Sequence, residues 1–391
     1  AVETLSALNL DFKQFAISEL LVNNEAAEFR HEDDELTVIP SGPLPKGEDF
    51  TIQIAYSGKP RPSIDIGDGI PTGWFWADDA AFVVSEPFGA QTWYPVNDSP
   101  LDKAAYTFRI TVPGHLVVAA NGLPGQKIDD GDLTTFVWEA SDPMASYLAT
   151  VSIDEFTVET QETANGVPII NYFPVNRAEK LSETYSPTAD MIAHFSDLFG
   201  PYPFESYGAI VLSDSADFAL ETQTRPTYGP NLARETVIVH ELAHQWFGNS
   251  VSLEKWEDLW LKEGFATYAE WLWLEHTKGS EAAADLVERS YRRMAASSES
   301  DSYTPPGRPD SSNLYTRNVY EGGATILHAL RLQVGDEIFF EILQTYASRF
   351  RNANAATEDF ITVAEEISEQ DLGEFFDSWL YSNNIPDLKV N

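Results

Sequence analysis

The alternation of hydrophobic and polar residues divides the chain into two parts. Runs such as LNLDF (8–12), FTIQIAY (50–56) and AYTFRITV (105–112) alternate between the two kinds of residue and are separated by turn signals such as SGPLPKGED and IDDGD. Such alternation predicts β-strands. From Asn176 onward the hydrophobic positions recur at helical spacing, as in NRAEKLSETYSPTADMIAHFSDLFG (176–200). Helices are therefore expected in the second part.

This change of pattern predicts an α+β multidomain fold. Residues 1–159 are expected to form an N-terminal β domain, a β-sandwich or a related saddle-like sheet, and residues 160–391 a separate domain made mainly of helices. The segment 297–313 is rich in Ser, Pro and Asp and predicts a long loop between two helices. A loop of this length inside a domain is more often functional than idle.

The composition excludes several classes of partner and site. The chain has 62 Asp and Glu against 24 Lys and Arg, which gives a formal net charge of −38. We therefore expect no nucleic acid and no anionic membrane as a partner. There is no cysteine, which excludes disulfides, thiolate zinc sites and a cysteine nucleophile. No run approaches the roughly 20 apolar residues of a membrane span.

The first residues bear on location. AVETLSALNL has neither an initiator Met nor the basic start and apolar run of a signal peptide. We interpret the chain as a processed product, so a secreted or cell-envelope location after loss of an export signal is slightly favoured over the cytoplasm. The oligomeric state is not indicated by any pattern in the sequence.

The segment VIVHELAHQWFGNS (237–250) carries the clearest chemistry. A helix turns about 100° per residue, so His240 and His244 project from one face and can bind one cation. Two neutral imidazoles and a carboxylate match a catalytic zinc site that leaves a fourth position for water. Glu241, beside the metal, is expected to take a proton from that water as general base.

The third ligand is expected on a following helix. The alternative pattern with a third histidine needs Gly at 247 and His at 250, but the chain has Phe247 and Ser250. A carboxylate is the remaining route, and LWLKEGFATYAEW offers Glu263. Asp258, in WEDLWLKEG, is expected either to orient a ligand histidine or to cap the following helix.

HELAH, an eighteen-residue gap and EGFATYAEW, together with QWFGN and DLWLKEGFA, resemble the zinc aminopeptidases related to membrane alanyl aminopeptidase and to the leukotriene-hydrolysing aminopeptidase. The resemblance implies a thermolysin-like catalytic domain and one Zn²⁺ per chain, bound by His240, His244 and Glu263. It also implies peptide substrates with a free N-terminus.

Further segments extend the resemblance. ALETQTRPTYG is similar to the family segment whose glutamate binds the substrate's α-amine, which implies that role for Glu221. VVSEPFGAQTWYPVNDSP is similar to the stretch that supplies a second amine-binding glutamate, here Glu86. NVYEGGATILHALR resembles the segment whose tyrosine stabilises the tetrahedral intermediate, here Tyr320.

The resemblance also has departures. Phe218 and Thr222 replace a Gly and an Asn of the amine-binding segment, and Lys262 replaces the usual Asn before Glu263. These changes leave the preferred first side chain open. Against the family architecture, the first strands are expected to be missing before Ala1 and a C-terminal helical domain after Asn391.

The function predicted is zinc-dependent hydrolysis of the N-terminal peptide bond of peptides. A thermolysin-type endopeptidase would use the same metal site on internal bonds and would cleave blocked and free peptides alike. A catalytically silent zinc-binding module would keep the metal for structure, but it would have no use for Glu241. The zinc ligands do not separate these three hypotheses, whereas turnover of free and blocked substrates does.

Overall fold

The N-terminal part of the chain is built from β-strands, most of them antiparallel, as its alternating pattern predicts. A computed structural model of the chain describes residues 1–64, 70–77, 80–213, 216–300 and 302–388. The first strands in chain order are β1 (Leu8–Asp11), β2 (Ala16–Val22), β3 (Glu25–Ala26), β4 (Glu28–Glu32), β5 (Glu35–Ile39), β6 (Ile52–Ser57), β7 (Gly73–Ala77), β8 (Ala80–Val84), β9 (Ala104–Pro113), β10 (Val117–Ala120), β11 (Leu123–Asp130), β12 (Leu133–Met144) and β13 (Val151–Asp154).

Small sheets pack face to face in this part. The sheets β1-β5-β4 and β3-β2-β6 enclose one small core, which includes Phe12, Leu36 and Val38. The sheets β10-β13-β8-β7 and β11-β12-β9 contribute to a second core that includes Val83 and Trp138. In β5, Leu36 and Val38 are buried while Glu35 is exposed, which is the period of two that strand geometry imposes.

A mixed sheet links the β-rich part to the helices. Its strands are β14 (Phe156–Glu162), β15 (Pro168–Pro174), β16 (Ile210–Val211), β17 (Ala219–Leu220) and β18 (Thr227–Tyr228), in the order β14-β15-β16-β18-β17. Residue 159 lies within β14, and the domain boundary after residue 159 stays a prediction. Strand β17, at the edge of this sheet, ends directly before Glu221. The strand therefore fixes the position of the backbone at Glu221.

The second part is helical. Its helices are α1 (Ala178–Tyr185), α2 (Thr188–Phe199), α3 (Glu235–Ala243), α4 (Trp260–Lys278), α5 (Ser280–Ser298), α6 (Gly323–Val334), α7 (Asp336–Arg349), α8 (Thr357–Ser368) and α9 (Gly373–Leu380). Two short strands, β19 (Val251–Leu253) and β20 (Ala353–Ala355), pair in parallel among them. The predicted β domain followed by a mainly helical domain is confirmed.

Helix α4 is central to the helical domain. Its residues from Trp260 to Ala269 are all buried, and it packs against α3, α5 and α6. A helix buried on every side has no solvent face on which to place charge. Its charged residues Lys262 and Glu263 must therefore find partners inside the protein.

The loop predicted at 297–313 starts two residues later in the structure, because α5 continues to Ser298, and it precedes a π-helical turn at Asn318–Gly322. Asp301 lies outside the described residues, and the described residues from 302 to 316 form no helix or strand. Within the parts of the chain that the structure describes, no helix combines the length and the apolar composition that crossing a membrane requires.

Candidate metal centre and active site

Three side chains from two helices converge on one point. His240 lies in the last turn of α3. His244 is the first residue after α3 and keeps helical backbone angles, so the i, i+4 spacing places both rings on one face. Glu263 comes from the first turn of α4. Its Oε2 lies 3.2 Å from Nε2 of His240 and 3.4 Å from Nε2 of His244. These two nitrogens and this oxygen face a common centre.

The other nitrogen of each ring has a partner that fixes its orientation. Nδ1 of His240 lies 2.8 Å from Oε1 of Glu270, and Nδ1 of His244 lies 3.1 Å from the carbonyl oxygen of Phe247. With Nδ1 protonated and donating, each Nε2 presents a lone pair. Zinc-bound histidines nearly always make this second contact to a carboxylate or a carbonyl. The donor set therefore fits a zinc ion bound by His240, His244 and Glu263.

Asp258 does not play the part predicted from the sequence. Its Oδ1 accepts a hydrogen bond of 2.7 Å from the hydroxyl of Thr357, and its Oδ2 lies 3.8 Å from the ammonium of Lys255. It makes no capping bond to α4. Glu270 takes the place beside His240 instead. It lies seven residues after Glu263, and two turns of a helix bring residues seven apart to the same face.

Glu241 faces the metal ligands. One of its carboxylate oxygens lies within 4.8 Å of a ring nitrogen of His244 and of an oxygen of Glu221. Burial raises the pKa of Glu241 to about 8. The side chain lines a cavity of about 320 Å³, together with His240, His244 and Glu263. A carboxylate so placed can exchange protons with a water or a substrate beside the metal.

Tyr320 reaches the same cavity from the π-helical turn before α6. Its ring lies parallel to that of His240, with the centroids 6.0 Å apart. Burial raises the pKa of Tyr320 well above its ordinary value, and the nearby charge of Glu263 adds to the shift. The hydroxyl therefore stays protonated and can donate a hydrogen bond into the cavity. Single π-helical turns are frequent at functional sites.

The structure brings Glu86 and Glu221 together, although they lie far apart in the chain. Both line the cavity, and each has an oxygen within 4.8 Å of an oxygen of Glu263. Both also contact the ammonium of Lys262. Burial and the charge of Glu221 raise the pKa of Glu86 to about 8. For Glu221, burial favours a raised pKa, but the Lys262 ammonium lowers it below the ordinary value.

Two residues that sequence reasoning did not assign fix the backbone of Glu221. Nδ2 of Asn249 donates to the carbonyl oxygen of Glu221 over 2.7 Å. Nε2 of Gln245 donates to the same oxygen over 3.3 Å, and Oε1 of Gln245 accepts from the N–H of Thr224. The segment QWFGN after the second histidine thus ties the metal helix to the Glu221 loop. The match of QWFGN to the family pattern was the sequence signal that could have pointed to these two residues.

The family model for the "Peptidase family M1 domain" matches residues 183–379, which include His240, Glu241, His244, Glu263 and Tyr320. A second model, "Peptidase M1 N-terminal domain", matches residues 2–148, which include Glu86. The chain belongs to the peptidase M1 family.

Solved M1 structures agree along nearly the whole chain. An M1 zinc metallopeptidase from Deinococcus radiodurans is 31% identical with a TM-score of 0.90, over 99% of this chain and 88% of that one. A mutant of the Deinococcus radiodurans peptidase, bound to a Tyr-Ser-Ala substrate, is 30% identical with a TM-score of 0.88, over 99% of this chain and 89% of that one.

Curated M1 relatives are longer. Glutamyl aminopeptidase of Sus scrofa is 29% identical over 330 residues, which are 78% of this chain and 35% of that protein. Aminopeptidase M1 of Arabidopsis thaliana is 28% identical over 331 residues, which are 77% of this chain and 36% of that protein. The chain thus spans about a third of the length of these two M1 proteins.

Proposed function

We propose that the chain is a zinc-dependent aminopeptidase that hydrolyses the N-terminal peptide bond of peptides. One observation carries the proposal: a general-base carboxylate, a three-residue metal centre and a pair of amine-binding carboxylates line one cavity of about 320 Å³. Membership of the M1 family and the peptide-bound M1 structure support it. The substrates proposed are peptides with a free N-terminus.

The metal centre provides the electrophile. Zinc would bind to Nε2 of His240, Nε2 of His244 and Oε2 of Glu263, where it would polarise the scissile carbonyl and lower the pKa of a water from about 16 to about 7. Glu270 and the Phe247 carbonyl hold the two rings in the tautomer that this binding needs.

Glu241 moves the proton. Its carboxylate takes a proton from the attacking water and returns it to the nitrogen of the leaving amine. Glu241 lies beside His244 and Glu221 in the cavity, within reach of a water next to the metal ligands. Tyr320 donates its hydroxyl proton in a hydrogen bond to the oxygen on which negative charge develops, a contact typically worth about 3–4 kcal/mol.

Glu221 and Glu86 set the position of cleavage. An α-ammonium that contacts both carboxylates brings the first peptide bond of the substrate next to the metal centre, because all these groups line one cavity. Charge-assisted hydrogen bonds to two carboxylates are strong and need a free amine. A blocked N-terminus cannot supply these charge-assisted hydrogen bonds, which lowers affinity.

The test is hydrolysis of a panel of free aminoacyl fluorogenic amides beside their N-acetylated counterparts, with and without a zinc chelator. We expect cleavage of the free amides alone, lost on chelation and reduced about 10²–10⁴-fold in Glu241→Gln. Equal cleavage of both sets would favour the endopeptidase. No cleavage of either set by the zinc-loaded protein would favour the silent module.

A further inference from the structure

The cavity carboxylates already hold a cation that belongs to the chain. The ammonium of Lys262 contacts Oε1 of Glu86 and Oε1 of Glu221, and lies 3.0 Å from Oε1 of Glu263. The ammonium donates hydrogen bonds to Glu86 and Glu221 and forms an ion pair with Glu263. The side chain of Lys262 has no exposed surface. A buried lysine is stable only with such partners.

Lys262 lies behind the carboxylates as seen from the cavity. Glu86, Glu221 and Glu263 line the cavity, whereas Lys262 does not. The face of the Tyr147 ring lies 5.6 Å from its ammonium, and a Cβ added to Gly248 would lie 3.3 Å from Lys262 Cβ. The Lys262 side chain is thus packed against Tyr147 and Gly248, and its ammonium is held by three carboxylates. A substrate ammonium therefore has to use the second oxygens of Glu86 and Glu221.

This arrangement changes the charge that a substrate meets. Lys262 offsets one negative charge of the carboxylate cluster that an α-ammonium would meet. The two ammonium groups would share the same two carboxylates and repel each other. In surroundings with an effective dielectric constant of about 20, repulsion over a few ångströms changes an affinity by roughly tenfold or more.

Resting on the function proposed above, we propose that Lys262 is a specificity-determining residue, a fixed counter-ion that weakens recognition of the substrate's α-ammonium and narrows the preference for free over blocked N-termini. Lys262 touches no substrate atom and acts through Glu86 and Glu221. In this chain the substrate's amine therefore contributes less to binding than it would with a neutral residue at position 262. Contacts to the rest of the peptide contribute more.

The test compares wild type with Lys262→Asn, whose amide can donate to a carboxylate but carries no charge. We expect KM for free aminoacyl amides to fall about tenfold, while the inhibition constant of the N-acetylated amides, used as competitive inhibitors, changes by less than about twofold. The surface variant Lys255→Asn is the matched control, because it removes an equal charge from a side chain that is half exposed. It should change neither constant.

Binding is measured apart from turnover in the zinc-loaded Glu241→Gln background. The probes are an amino acid amide and its N-acetyl derivative, with the side chain that the enzyme prefers in the substrate panel. Calorimetry measures the binding of each probe. Adding Lys262→Asn should tighten binding of the free amide about tenfold and leave the acetylated probe unchanged. If Lys262→Asn does not fold, Lys262→Met, which removes the charge and keeps much of the side-chain length, takes its place. It should also tighten binding of the free amide about tenfold and leave the acetylated probe unchanged.

The outcomes separate the two proposals. Weaker or unchanged binding of the free amide in the Lys262→Asn protein would overturn the role of Lys262 and leave the aminopeptidase proposal intact. Weaker or unchanged binding of the free amide in the Lys262→Met protein would also overturn it. Failure of the wild-type protein to bind or cleave any free amide would instead refute the aminopeptidase itself.

Discussion

Gly264 on α4 and Gly323 on α6 bring the backbones of their helices into contact: a Cβ built on either residue would lie 2.8 Å from the Cα of the other. The contact lies next to Glu263 in the chain on one side and three residues after Tyr320 on the other. It therefore sets the distance between a metal ligand and the proposed oxyanion donor.

Gly264→Ala and Gly323→Ala should each destabilise the protein by about 1–3 kcal/mol, because the opposing atoms are backbone and cannot rotate away. The helices can separate only by moving Tyr320 away from Glu263, so kcat should fall as well. Urea unfolding and kinetics measure the two effects. Gly42→Ala is the control, since a Cβ at Gly42 would meet nothing within 4 Å. Stability equal to wild type in both helix variants would contradict the close contact.

Tyr320→Phe should lower kcat about 10²–10³-fold, because it removes one hydrogen-bond donor to the developing oxyanion and leaves the ring in place. The zinc content should not change, since Tyr320 is not among the ligand residues. Tyr291→Phe is the control, because the Tyr291 hydroxyl donates to the Pro386 carbonyl instead. A Tyr320→Phe protein with wild-type kcat would exclude Tyr320 from the reaction.

Glu270→Gln should weaken zinc binding about 10–100-fold, because the amide is a poorer acceptor than the carboxylate for the N–H of His240. Competition with a chelator measures the affinity. Asp258→Asn provides the comparison, because Asp258 accepts a hydrogen bond from Thr357 rather than from either histidine ligand. This variant should lower stability and leave zinc affinity unchanged. Weaker zinc binding in Asp258→Asn but not in Glu270→Gln would instead support the prediction that Asp258 orients a ligand histidine.

The zinc ligands could be predicted from the sequence because they depend on local geometry. The i, i+4 spacing places His240 and His244 on one helical face whatever surrounds them. Glu263 was proposed by eliminating a third histidine ligand, and the family resemblance then implied the same role for it. Glu270 was missed although its position seven residues after Glu263 gave a signal. Asp258 was proposed instead because a zinc-bound imidazole usually donates its other N–H to a carboxylate, but that rule does not determine which carboxylate points at the ring.

The contact of Lys262 with Glu86 could not be predicted, because 176 residues separate the two. Sequence reasoning noted Lys262 only as a departure from the family pattern. Whether that ammonium lay in the cavity, behind the carboxylates or in solvent depended on packing around Tyr147 and Gly248. Similarly, alternation predicted β-strands such as β5, whereas the order in which they pair depends on contacts between distant segments.

His328 on α6 should make the protein less stable in acid. Burial lowers its pKa to about 4, and the nearby charge of Arg331 adds to the shift, whereas Glu275 and Asp336 oppose it. An unfolded histidine has a pKa near 6.5. Between pH 4 and 6.5 the unfolded chain therefore binds more protons than the folded one, so stability is lost as the pH falls through this window and is fully present above it.

His328→Gln should remove on the order of 1–3 kcal/mol of this pH-dependent loss. Urea unfolding of both proteins at pH 7, 6, 5 and 4.5 gives the slopes. His194, whose pKa burial also lowers to about 4, should keep a residual slope in the variant. Identical slopes in wild type and His328→Gln would show that His328 is not held in its neutral form.

The order in which products form tests the aminopeptidase proposal most directly. An unmodified peptide of ten or more residues is incubated with the zinc-loaded protein, and the products are followed by mass spectrometry beside the same peptide with an acetylated N-terminus. We predict stepwise loss of single residues from the free N-terminus, with the acetylated peptide cleaved much more slowly and Glu221→Gln slowing the free peptide. Internal fragments that form equally fast from both peptides would contradict the account.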